Sequence, residues 1–135
     1  RPATRFSGRR GQNFLTNIQG KPIMQVTRFD DAKPYETKGH FNMVGLRLQG
    51  YEASPSEKMW VGLSHFLPDG GAGSSDSPLE KIYVCTEGAI TIVTDTGEET
   101  LNPMDSCYLK GGERREIINR TTRPAAMLVI MPYPD

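Results

Sequence analysis

An antiparallel all-β domain, closed into a barrel or split into two facing sheets, is the fold class this sequence predicts. Three observations lead there. Short runs rich in aliphatic and aromatic residues recur from residue 39 onward, each bounded by turn formers such as Gly, Pro, Asn or Asp. No stretch carries a convincing amphipathic helical period. The runs number seven to nine at regular spacing, which suits a sandwich or barrel.

The elements follow in order. Residues 40–49 (HFNMVGLRLQ) and 59–67 (MWVGLSHFL) are long and apolar enough for strands, and Gly, Pro and Ser break the chain between them. Pro68-Asp69-Gly70-Gly71 ends the second run, and a small polar loop is expected through Ser77, either as a mobile connection or as the border of a pocket mouth. Residues 81–86 (KIYVCT) and 89–94 (AITIVT) flank a Glu87-Gly88 turn. Asp95-Thr96-Gly97 reads as a hairpin turn, with Glu98 to Leu101 returning. Residues 105–109 (DSCYL), a Gly111-Gly112 turn, 114–119 (RREIIN) and 125–131 (AAMLVIM) complete the set.

The totals bound the rest. The chain has 135 residues, enough for one domain with a real core. Apolar content of 36% and charged content of 24% are ordinary for a globular protein. No apolar run approaches the ~20 residues of a bilayer span, and the first 20 residues hold no signal-peptide core. Two cysteines, Cys85 and Cys107, argue against a disulfide scaffold, and a reduced, cytoplasmic location is the default. Both are expected as small buried residues on strands.

Net charge is zero, but five cations (Arg1, Arg5, Arg9, Arg10, Lys21) and no acid fall within residues 1–23, leaving 11 cations against 16 acids elsewhere. We expect residues 1–23 to be a basic extension, disordered or a leader, and residues 24–135 to be a single domain. The acidic remainder is poor for binding phosphate backbones, so nucleic acid is not an expected partner, and neither is a membrane.

Two stretches carry a resemblance. Asp69, which follows Pro68, and Ser75, Ser77, Lys81 and Gly88 fall at the positions of a motif running Gly, five residues, His, one residue, His, three or four residues, Glu, six residues, Gly. Met104, Lys110, Gly112, Arg115 and Asn119 fall at the positions of a second, running Gly, five residues, Pro, one residue, Gly, two residues, His, three residues, Asn. Fifteen residues separate them. In this spacing the chain resembles the cupin superfamily. The resemblance covers about residues 59–131 and implies a jelly-roll, double-stranded β-helix barrel with a ligand site inside.

Backbone-type positions are kept, at Pro68, Gly88, Gly112 and Asn119; the four ligand positions are not. Ser75, Ser77, Lys81 and Arg115 stand where the family's metal ligands would be. A guanidinium has no lone pair to offer and serine is a weak neutral ligand. A dication beside Arg115 would also be repelled. We therefore expect no metal at this site and no other cofactor.

Strand alternation puts Lys81, Tyr83 and Cys85 on one face, inward if Lys81 keeps the direction of the family's Glu, and puts Arg115, Ile117 and Asn119 on one face of a facing strand. Two inward cations need compensation. Glu80, Glu113 or Glu116 could pair with them, both could snorkel to the mouth, or an anionic ligand could supply the charge. The leading expectation is a metal-free barrel that binds a small anionic organic molecule between Lys81 and Arg115, supported by Tyr83, Ser75 and Ser77. A second is metal-independent isomerisation, epimerisation or elimination in the same pocket, with His65 or Tyr83 moving the proton. A third is a non-catalytic homodimeric barrel, with residues 24–36 crossing to the partner. His65 shares a strand face with Val61, Leu63 and Leu67, opposite Trp60 and Phe66; which face lines the lumen is open. His40, after Gly39, is read as a strand-end surface residue.

Overall fold

The computed structural model describes residues 6–7, 14–16 and 18–135. Arg1, Arg5, Arg9 and Arg10, and with them most of the expected extension, lie outside the described residues. Strand accounts for 55% of the described residues and helix for 3%, and the strands form a nearly closed antiparallel barrel, which establishes the all-β jelly roll.

The strands are β1 (Phe6–Ser7), β2 (Phe14–Leu15), β3 (Lys33–Tyr35), β4 (His40–Gln49), β5 (Met59–Ser75), β6 (Lys81–Glu87), β7 (Ile90–Thr94), β8 (Gly97–Leu101), β9 (Ser106–Leu109), β10 (Arg115–Ile118) and β11 (Ala125–Pro132). β1 and β2 pair with each other, apart from the main sheet. The remaining nine form one continuous antiparallel ladder with the path β8-β7-β10-β5-β11-β6-β9, to which β4 adds along β5 and β3 along β4. β5 holds the two walls together. Its first half pairs with β11 from Met59 to Phe66, and its second half pairs with β10 from Gly71 to Ser75.

Here the structure corrects the sequence reading. The stretch from Gly70 to Ser75 is not a loop but the second half of a 17-residue strand. Its glycines answer to crowding rather than to mobility. A Cβ on Gly71 would lie 2.0 Å from the carbonyl oxygen of Ile117 on the paired strand. Asp69, with φ of 65°, turns the strand where it passes from one wall to the other. Its N–H bonds the Asn119 carbonyl, and the Asn119 N–H bonds the Gly70 carbonyl.

Along the first half of β5 the buried residues are Trp60, Gly62, Ser64 and Phe66, so the aromatic face is the inner one. They meet Tyr83 and Cys85 of β6, Ile90 and Ile92 of β7, Leu101 of β8, Leu109 of β9, Ile117 of β10, and Met127 and Val129 of β11 in one core. Two-residue reversal at Asp95-Thr96 connects β7 to β8. Asn119 is fully buried and ties three segments: its amide donates to the carbonyls of Phe66, Leu67 and Arg123, and its side-chain oxygen accepts from Thr121. That bonding explains why an asparagine, and not an apolar residue, ends β10 in the core. No described helix is long and apolar enough to cross a membrane.

Candidate functional site

One wall of the barrel supplies Lys81, at the start of β6, and the other supplies Arg115, at the start of β10. Both are buried, at 3% and 7% exposure. They line a single cavity of about 190 Å³. Tyr35, Glu36, Thr37 and His40 line it from β3 and the approach to β4, Trp60 and Ser64 from β5, Ser77 from the following loop, Tyr83 from β6, Ile117 from β10, and Met127, Val129 and Met131 from β11. The lining is thus apolar on the β11 side, with polar groups converging from the other strands. That volume lies below the ~300–1,000 Å³ of sites for drug-sized ligands, so it suits a small metabolite.

Arg115 is held on two sides. Its Nε donates to the Tyr83 hydroxyl oxygen at 2.9 Å and its Nη1 to the Gly73 carbonyl at 2.8 Å. Lys81 differs: among the described residues its ammonium has no hydrogen-bond partner and no ion pair. The three glutamates that could have neutralised the pair are engaged elsewhere. Glu80 accepts from the Tyr108 hydroxyl, Glu113 from the Lys110 N–H, and Glu116 from Arg114. Burial, then the Arg115 charge, hold the Lys81 ammonium below its usual range, against a weaker pull from Glu113. Burial pushes the Tyr83 phenol up, opposed by Arg115, so it stays protonated.

The cavity therefore brings together Lys81, Arg115, Tyr83 and Ser77. Ser75 pairs with Arg115 along the backbone but is not part of the lining. His65 is on the outer face, its ring 5.9 Å from that of Phe29, beside Val44 and Leu67 in a shallow apolar groove. The alternation that turns Ser64 and Phe66 inward turns His65 outward, so it does not supply an acid or base to this cavity. His40 is the converse case. It stands at the start of β4, as read, but is half-buried, and with Glu36 and Thr37 it also lines the cavity. Its Nδ1 lies 2.7 Å from the Lys38 carbonyl oxygen. The one available signal was Gly39, whose φ of 71° makes the turn that delivers the ring.

Both cysteines are free, and burial pushes both thiols up, which fits their reading as packed residues and not nucleophiles. The donor set at the four ligand positions, two hydroxyls, an ammonium and a guanidinium, does not fit a divalent cation. Nor do the described residues hold another cluster of His, Cys, Asp or Glu suited to one.

The barrel and the spacing of its two motifs define a cupin fold. Its backbone superimposes on the polyketide cyclase RemF of Streptomyces resistomycificus with a TM-score of 0.73 at 18% identity, over 82% of this chain and 80% of the other. A sugar phosphate isomerase of the cupin superfamily from Silicibacter pomeroyi gives 0.67 at 23% identity, covering 79% and 74%. An RmlC-like cupin from Shewanella frigidimarina gives 0.63 at 10% identity, covering 81% and 94%. At such identities the likeness is one of fold. In sequence the chain is similar to beta-D-galactosidase Rv1717 of Mycobacterium tuberculosis, 39% identical over 111 residues, which is 82% of this chain and 96% of that one. The chain belongs to the same family as that protein, and its fold is that of the cupins. No family model matches it.

Proposed function

We propose that the chain is a metal-free cupin barrel that binds a small anionic organic molecule between Lys81 and Arg115. One observation carries the reading: two buried cations from opposite walls line one cavity, and no carboxylate among the described residues pairs with either. Burying like charges is costly unless something compensates them. A carboxylate or phosphate would do so, taken by the Lys81 point charge and the fixed Arg115 fork. Tyr83 orients that fork, and Ser77 adds a hydroxyl at the rim. Titration calorimetry with inorganic phosphate and citrate tests this. Binding that falls at least tenfold in Lys81→Met supports it; heat signals that are the same in both proteins would overturn it. Metal analysis of purified protein is the companion test, and a near-stoichiometric transition metal refutes the metal-free part.

The mycobacterial relative supports a second reading, hydrolysis of a β-D-galactoside. Most glycosidases use two carboxylates flanking the scissile bond. Here Glu36 is the one carboxylate among the described lining residues, so that mechanism does not map onto the cavity. Release of nitrophenol from p-nitrophenyl β-D-galactoside, lost in Glu36→Gln, would favour this reading; no release above buffer would remove it. The homodimer belongs to the same proposal. Exposed Val44 and Leu67 beside His65 support it, and light scattering on a sizing column reads it.

A further inference from the structure

We propose that His40 is the general base of this cavity, with Nε2 presented to an acidic C–H of a ligand whose anionic group lies between Lys81 and Arg115. The inference rests on the anion-binding reading and adds a reaction to it. The carbonyl of Lys38 can only accept, so the 2.7 Å contact requires that Nδ1 carry the proton. In the neutral ring Nε2 then holds the lone pair, and it is the nitrogen left to reach a ligand. The ring lines the cavity, and its placement is tied to the anion subsite by the backbone: the Gly73 carbonyl accepts from Arg115, while the Gly73 N–H donates to the carbonyl of Gly39, the residue before His40. The other titratable groups on the lining are Tyr35, Glu36, Lys81, Tyr83 and Arg115. Burial and then Arg115 act to keep the imidazole neutral, against the Lys38 hydrogen bond. Tyr83 is held protonated and Lys81 and Arg115 are cations, so each stabilises negative charge and none removes a proton.

The step balances without an oxidant or a metal. The C–H bond next to the ligand's carboxylate breaks and its proton passes to Nε2. The electron pair forms a carbon–carbon double bond as the carboxylate π pair moves onto oxygen, where Lys81 and Arg115 meet the added charge. Return of the proton from the imidazolium to a conjugated carbon on the same face completes an isomerisation, and protonation of the opposite face by the Tyr83 hydroxyl or by water would complete an epimerisation. Departure of a β-substituent with the new electron pair completes an elimination instead.

A neutral probe with one acidic C–H tests the base directly. In 5-nitrobenzisoxazole, proton removal at C3 breaks the ring N–O bond and yields a coloured cyanophenolate. We expect turnover above buffer, a rate that rises with pH to a midpoint below the ordinary histidine value of ~6.5, and inhibition by inorganic phosphate. His40→Gln should lose about 100-fold or fall to the buffer rate, while calorimetry still shows phosphate binding. His65→Gln should keep the wild-type rate. Turnover no faster than buffer in the wild type, or unchanged in His40→Gln, overturns the proposal. His40-dependent turnover that phosphate fails to inhibit supports the base and overturns the anion subsite. If His40→Gln does not fold, nitrogen NMR of His65→Gln decides: a neutral ring protonated at Nδ1 supports the proposal, and one protonated at Nε2 refutes it.

Discussion

Replacing Lys81 by methionine should make the protein more stable while abolishing anion binding. Methionine keeps the length and most of the volume of the lysine stem, so packing against the core changes little. What changes is charge. A cavity of about 190 Å³ is roughly 7 Å across, and unit like charges at that separation repel by about 2 kcal/mol at an effective dielectric of ~20. Partial desolvation of an ammonium that has no hydrogen-bonded partner but keeps solvent access adds to this, so a gain of about 1–3 kcal/mol is expected, within the range seen when buried charges become apolar. For a chain of this length that is a rise in Tm of roughly 4–12 °C. Urea unfolding at pH 7 with unchanged slope is the assay. The pH dependence gives a second check. The Lys81 pKa is lower folded than unfolded, so the unfolded chain binds more protons between the two values and wild-type stability rises with pH across that window. The advantage of Lys81→Met should therefore be constant at low and neutral pH and shrink as pH climbs toward ~10.4. A loss of stability on substitution would refute the reasoning, because it would mean that Lys81 has a structural partner.

Arg115→Met relieves the same repulsion but strands the Tyr83 hydroxyl and the Gly73 carbonyl, so the two effects should largely cancel and its stability in the same urea assay should fall about 1–2 kcal/mol below that of Lys81→Met. Asn119→Ala removes donors from three carbonyls and the acceptor of Thr121, and a loss of about 2–4 kcal/mol is expected, read as a drop in Tm with the fold otherwise retained. Gly71→Ala drives a methyl group into the Ile117 carbonyl and should cost more than ~3 kcal/mol, with little folded protein visible by circular dichroism. The His40 pKa is lower folded than unfolded, so wild-type stability should fall as pH drops from ~6.5 through the folded value; in His40→Gln that part of the slope should vanish.

The fold was legible because it is written in backbone requirements. Gly88 and Gly112 both take φ near the left-handed region, at 71° and 86°, and Asn119 is used for its four-way hydrogen bonding. Such needs survive when the chemistry of a site changes, so Lys81 and Arg115 could be located by counting. Parity gave the company of each side chain but not its direction. His65 was grouped correctly with Val61 and Leu67, yet only the packing of Trp60 and Phe66 shows that this group faces out. His40 was missed for a different reason: that a strand-end residue also lines the cavity, with Glu36 and Thr37, is a tertiary event with no periodic signature. The extension of β5 was hidden by its glycines, which in sequence look the same whether they serve a loop or a close strand contact.

Because β5 runs through both walls, the two walls of the nearly closed barrel share one strand. Every strand that frames the cavity is laced to it directly or through one neighbour, on one side by β11 and β6 and on the other by β10. Parting the two walls would break hydrogen bonds along β5, so a molecule bound as proposed would exchange past the lining that is not sheet, Glu36 and Thr37 on one side and Ser77 on the other. One of those two places is the segment that leads into His40, so loosening it to admit a ligand would also move the proposed base.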